Sequence, residues 1–137
     1  MMENKFKFLP HTSEIKFKAW GKTLNEAFEN SVLAFAEFVA NENKLKASKG
    51  KVVTISGDDR ESLLYNFLEE LISLIDSEEF VVVKATVTLR GNNLLAEIYG
   101  DDASNYKGIQ NVKAPTYSEM YVKQTSKGWE VQVVLDV

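Results

Sequence analysis

Only a few residues of this 137-residue chain have the type and placement to do chemistry together. His11-Thr12-Ser13-Glu14 opens the first clear strand, and Leu135-Asp136-Val137 closes the chain. Each segment puts a carboxylate at a strand terminus, and Asp136 stands beside the α-carboxylate of Val137. Several oxygen ligands at one corner are what a hard cation needs, with no demand for His or Cys. Two carboxylates brought close repel each other unless a cation or a proton sits between them. Neither segment is a metal motif by itself. The expectation requires both ends of the chain to meet at one corner, and the plain alternative is two solvated carboxylates at strand ends.

Composition removes several other chemistries. There is no Cys, hence no disulfide framework, thiolate zinc site or cysteine nucleophile, which suits a reducing cytosol. A single His rules out a His-rich metal site and leaves a Ser-His-Asp mechanism without support. That His11 reads as structural, anchoring the turn at Pro10 or orienting the neighbouring acid. A net charge of −4 argues against direct tight nucleic-acid binding, which needs a basic footprint. An acidic protein can still dock on a basic partner. The stretch from Met1 to Leu9 alternates Lys with Phe and does not form a signal peptide. No window approaches the roughly 18 apolar residues of a membrane span. Glycine loops that cradle phosphate are absent, so a nucleotide is not expected on this chain.

The elements that must position these residues follow from periodicity. Glu14 to Trp20 alternates apolar and polar residues, as a half-buried strand does. Thr23-Leu24-Asn25-Glu26 reads as a capping box opening a helix. On that helix Leu24, Phe28, Val32, Phe35 and Val39 form one stripe, with Glu26, Glu29, Asn30 and Glu37 away from it. Lys51 to Ser56 is a short strand. Gly57-Asp58-Asp59 then makes the turn and N-cap of a second helix, whose apolar face is Leu64, Phe67, Leu68, Leu71, Ile72 and Ile75. Asp58, Asp59 and Glu61 read as complements of that helix's dipole. Phe80 to Arg90 and Leu94 to Tyr99 form a hairpin through Gly91-Asn92-Asn93, and Asp101-Asp102 reads as hydrophilic loop. Val112 to Lys123 is a strand whose Pro115 predicts an edge position or a bulge. Trp129 to Asp136 is the last strand. The expected fold is α+β: two amphipathic helices packed on a largely antiparallel β-sheet, a single-domain sandwich over residues 1–137.

Five segments lie in a recognisable order: HTSE, AWGKTLNEAFENSVLAFAEF, LLYNFLEELISLID, VKAPTY and WEVQVVLDV. Over essentially the whole chain this resembles the archease family. The resemblance implies a protein cofactor of an RtcB-type RNA ligase, which seals tRNA halves after intron removal. Such a cofactor promotes attachment of GMP to the ligase histidine and restores the ligase between turnovers. It is not itself an enzyme, and GTP and manganese belong to the ligase. The resemblance also implies a divalent metal site, with calcium as the ion, made by Glu14, Asp136 and Val137. It places Lys113 and His11 at the partner interface, and the protein in the cytoplasm. Two departures stand out. Glu14 replaces the family's usual Asp, a change that flexible calcium coordination tolerates better than an octahedral magnesium site. The stretch from Asp101 to Gln110 lacks the family's Arg-His pair, and Ser118 stands where a His is common. The rival readings are a metal-dependent phosphoesterase acting on RNA ends and a general chaperone-like adaptor. The first predicts turnover without a partner, the second indifference to metal.

Overall fold

A computed structural model describes residues 4–137. The chain runs β1 (Phe6–Leu9), β2 (Glu14–Gly21), α1 (Leu24–Ala40), β3 (Lys49–Ser56), α2 (Arg60–Glu78), β4 (Phe80–Arg90), β5 (Asn93–Asp102), β6 (Ala114–Thr125) and β7 (Gly128–Asp136). The strands form two sheets, ordered β1-β2-β7-β6 and β3-β5-β4, and every pairing is antiparallel. One hydrophobic cluster joins them, built on Phe17, Phe28, Phe35, Phe67, Leu68 and Leu135. The α+β sandwich is as expected, with one addition. Phe6–Leu9 pairs antiparallel with β2, from Phe6↔Ala19 to Leu9↔Lys16, a short strand that the Lys-Phe alternation of this stretch fits.

Both helices begin where the sequence places them. The Thr23 hydroxyl accepts from the Glu26 N–H at 3.1 Å. The Glu26 carboxylate accepts not from Thr23 but from the Lys22 N–H, also at 3.1 Å. The second helix carries the full reciprocal box: Asp59 accepts from the Ser62 N–H at 2.7 Å, and Ser62 accepts from the Asp59 N–H at 3.1 Å.

The polar side of α1 departs from the expectation. Asn30 is buried and donates to the Trp20 carbonyl at 2.6 Å. Asn25 and Glu29 face the outer edge of β4. Glu29 accepts from the Val87 N–H at 2.8 Å, and Asn25 from the Leu89 N–H at 3.1 Å. An edge strand's free N–H groups need partners, and here a neighbouring helix supplies them. Glu61 of α2 does the same for β6, accepting from the Val122 N–H at 3.3 Å. The helices therefore seal sheet edges as well as covering the core.

Strand β5 extends past the expected Tyr99 to Asp102, and Asp101 is buried, not in a loop. Its carboxylate accepts from the Ser48 hydroxyl and the Tyr106 hydroxyl, each at 2.6 Å, and from the Asp102 N–H at 2.9 Å. These bonds, led by that from Ser48, hold its pKa well below the usual carboxylate range. Tyr106, in the stretch lacking the Arg-His pair, thus ties its loop to the sheet. At Gly100 the bulge in β4 comes so close that an added Cβ would lie 2.0 Å from the Val81 carbonyl oxygen. No helix among the described residues is long and apolar enough to cross a membrane.

Candidate functional site

The two ends of the chain meet through strand register. β2 runs antiparallel to β7, so the first residue of one faces the last of the other, and Glu14 lies opposite Asp136. On the other side of β7, Ala114 of β6 also pairs with Asp136. The Lys113 N–H donates to the Asp136 carbonyl at 2.8 Å, fixing the start of β6 to the end of β7. Three strands therefore bring Glu14, Asp136, Val137 and Lys113 to one corner. Glu14 and Asp136 are half-buried, whereas Lys113 and Val137 are exposed.

His11 orients the neighbouring acid. Its Nε2 lies 3.1 Å from Glu14 Oε1 and 3.6 Å from Glu119 Oε2. Glu119 in turn receives the Lys16 ammonium at 2.9 Å, and that bond, with the charge of Lys16, holds its carboxyl below the ordinary value. Sequence reasoning missed Glu119. The register of β6 against β7 breaks between Thr116 and Tyr121, two residues beyond the Pro115 that pointed to it. Glu119 takes φ 56° in this bulge, and its carbonyl accepts from Gln132 Nε2 at 2.7 Å. A bulge of this kind re-aims a side chain that regular pairing would place elsewhere. The same excursion puts Tyr117 face to face with Tyr65 of α2, ring centroids 4.3 Å apart. Pro115 does lie on an edge strand, as its missing N–H requires.

As a cation site the corner offers hard oxygen donors of two facing strands: the carboxylates of Glu14 and Asp136 and a main-chain oxygen of Val137. Among the described residues, no three His, Asp or Glu side chains form a ligand cluster. Carboxylate and main-chain oxygens are the donor type that a hard cation takes, and with so few side chains it would need backbone oxygens and water to complete its shell. Like charges directly opposed across two strands destabilise the pair, and the pairing of Glu14 with Asp136 carries that cost. A second polar network lies further along the same sheet. Burial raises the Glu130 carboxyl, but bonds from Tyr121 and Trp20 and the charges of Lys123 and Lys18 outweigh it and leave the group below its ordinary value. Every member of that network has a protein partner, which marks it as structural.

The comparisons agree with this architecture. The model of the Archease protein family matches residues 6–137. The protein archease of Pyrococcus abyssi is 37% identical over 134 residues, covering 93% of this chain and 94% of its own length. That of Methanosarcina barkeri is 32% identical, covering 96% and 95%. The solution structure of Methanobacterium thermoautotrophicum protein 1598 superposes with a TM-score of 0.77 at 27% identity, over 97% of this chain and 99% of that one. The crystal structure of a Thermotoga maritima archease, named a possible chaperone, gives 0.65 at 17% identity over 100% and 98%, a likeness of fold alone. With the family model spanning nearly the whole chain and relatives above 30% identity along its length, the chain belongs to the archease family.

Proposed function

We propose that this protein activates an RtcB-type RNA ligase, promoting attachment of GMP to the ligase histidine and restoring the ligase between turnovers. The observation that carries the reading is the meeting of Glu14 and Asp136 across the β2–β7 register, with Lys113 fixed beside them. This acidic corner docks at the mouth of the ligase's nucleotide site, in the cytoplasm. Glu14, Asp136 and the main-chain oxygen of Val137 would hold a divalent cation, calcium by their donor type. Bound there, the ion would neutralise two facing carboxylates and offer remaining coordination positions to oxygens of the partner. The chain's own residues set the geometry. His11 holds the Glu14 carboxylate, β7 positions Asp136, and Lys113 presents an ammonium to the triphosphate or to an acidic ligase residue. The protein itself turns over no substrate.

The test is GMP attachment to purified ligase at limiting ligase, GTP and manganese. Wild type should accelerate guanylylation and permit repeated RNA joining, and Asp136→Asn should lose most of both while melting cooperatively. Unchanged activation by a folded Asp136→Asn protein would refute the role of the corner. Hydrolysis of RNA ends without the ligase would instead favour a phosphoesterase. A chaperone-like adaptor, the reading that the name of the Thermotoga maritima structure suggests, would bind unfolded clients without metal. Among the described residues the exposed large apolar side chains it could use are Phe8, Val52, Leu95, Tyr117 and Val137.

A further inference from the structure

Beside the corner lies a groove of about 600 Å³, running from Glu14 along the β1–β2 turn to the C-terminal end of α1. Phe8, Ile15 and Phe38 give it apolar walls, and Glu14, Glu37 and Glu42 line it with carboxylates. The basic residues that also line it are already engaged, His11 by Glu14 and Glu119, and Lys16 by Glu119. Glu37 and Glu42 are exposed and, among the described residues, make no ion pair or side-chain hydrogen bond. The negative end of a helix favours cations, yet the last turn of the 17-residue α1 holds no basic residue. Instead Glu37 projects from its end, and Glu42 follows in a left-handed turn, at φ 70°. The last carbonyls of α1 are capped, Phe38 by the Asn41 N–H and Gln110 Nε2, Val39 by the Gln110 N–H and Ala40 by Asn43. The unpaired negative charge over the apolar floor is therefore that of Glu37 and Glu42. Its carboxylates are not gathered as metal ligands, since no three His, Asp or Glu side chains among the described residues form such a cluster. A long basic side chain fits both features, its stem on the apolar wall and its head among the carboxylates.

We propose that this groove receives a lysine or arginine, carried next to an apolar residue on a surface segment of the partner ligase. The inference rests on the activator reading above, and adds a docking point at Glu37 and Glu42, in a groove that shares Glu14 with the corner. It is tested by measuring binding of the RtcB-type ligase to wild type, Glu37→Gln/Glu42→Gln and Glu37→Lys/Glu42→Lys at low and high salt. Charge reversal should weaken binding about tenfold or more, neutralisation by less, and both should flatten the salt dependence. Calcium alone is titrated into the same three proteins as a second arm. A reversal variant that binds ligase within about twofold of wild type overturns the docking point while the activator reading stands. Loss of calcium binding with ligase affinity intact overturns it in favour of a cation seat. Failure of wild type to bind ligase at all removes the activator reading, and the docking point with it. Both positions are exposed, so an unchanged melting curve separates lost contact from lost fold.

Discussion

Glu29 should matter more for stability than its place on the polar side of a helix implies. Its carboxylate accepts from the Val87 N–H at 2.8 Å, and Asn25, one turn earlier, accepts from the Leu89 N–H at 3.1 Å. A bond to a charged acceptor contributes about 1.5–3 kcal/mol and a neutral one about 0.5–1.5 kcal/mol. Alanine is the better helix former and returns roughly 0.5 kcal/mol at each position. Glu29→Ala should therefore cost about 1–2.5 kcal/mol, and Asn25→Ala/Glu29→Ala about 1–3.5 kcal/mol. With a urea m-value of roughly 1.5 kcal/mol/M, the double variant's midpoint falls by about 1.5 M. Glu29→Gln keeps an acceptor oxygen and should lose about half as much as the alanine variant. Opening the edge also exposes a strand to intermolecular pairing, so the double variant should scatter light on heating at concentrations where wild type stays clear. A Glu29→Ala midpoint within about 0.2 M of wild type would refute the argument, because water would then serve the β4 edge as well as the helix does.

Three further outcomes follow from the same geometry. Calcium at about 100 times its dissociation constant should stabilise wild type by roughly 2.7 kcal/mol, raising the melting temperature by about 8–10 °C. Glu14→Gln/Asp136→Asn should show no such rise, measured by differential scanning calorimetry with and without chelator. Asp59, Asp101, Asp102, Glu119 and Glu130 all have carboxyls held below their ordinary values of 3.8 for Asp and 4.5 for Glu. A depressed folded pKa stabilises above the unfolded value and loses that contribution as pH falls through the folded one. The urea midpoint should therefore drop steadily from about pH 5 to about pH 3, and Asp101→Asn should be less stable at neutral pH with a shallower acid decline. Gly100→Ala should yield little or no soluble protein, since its Cβ would lie 2.0 Å from the Val81 carbonyl oxygen, a main-chain atom that no side-chain rotation can clear. A soluble variant melting like wild type would show that the β4 bulge can move aside.

The helices, their caps and the β4 strand were legible because each is a local pattern: a 3.6-residue stripe, a Thr or Asp before it, an alternating run between turns. Asn30 was misplaced, and the strand-edge contacts of Glu29 and Glu61 were missed, for a physical reason. Periodicity says which side of a helix is apolar, not whether a strand edge lies along the other side. Asp101 was hidden because its partners Ser48 and Tyr106 come from separate loops, and a buried carboxylate reads like any other acid until those donors are placed. The facing of Glu14 and Asp136 could be anticipated only as two ends of a chain in one corner. The register that makes them opposite is a property of the pairing of β2 with β7. Glu119 was beyond reach, since a bulge four residues long leaves no signature except a proline shortly before it.

The position of β7 has a consequence for assembly. It is the last strand in chain order, yet it sits inside its sheet, between β2 and β6. The smaller sheet, drawn from residues between 49 and 102, can pair as soon as that stretch of chain is available. The β1–β2 hairpin must wait with an open edge until the final strand arrives, and contacts between distant segments form slowly. Closing β7 into that gap is the event that finishes the larger sheet, and the same event brings Asp136 to Glu14. A chain arrested before β7 would hold both helices and the small sheet but lack the corner altogether. Such an intermediate would also expose β2 to foreign strands, which makes the last step of folding the one most in need of speed.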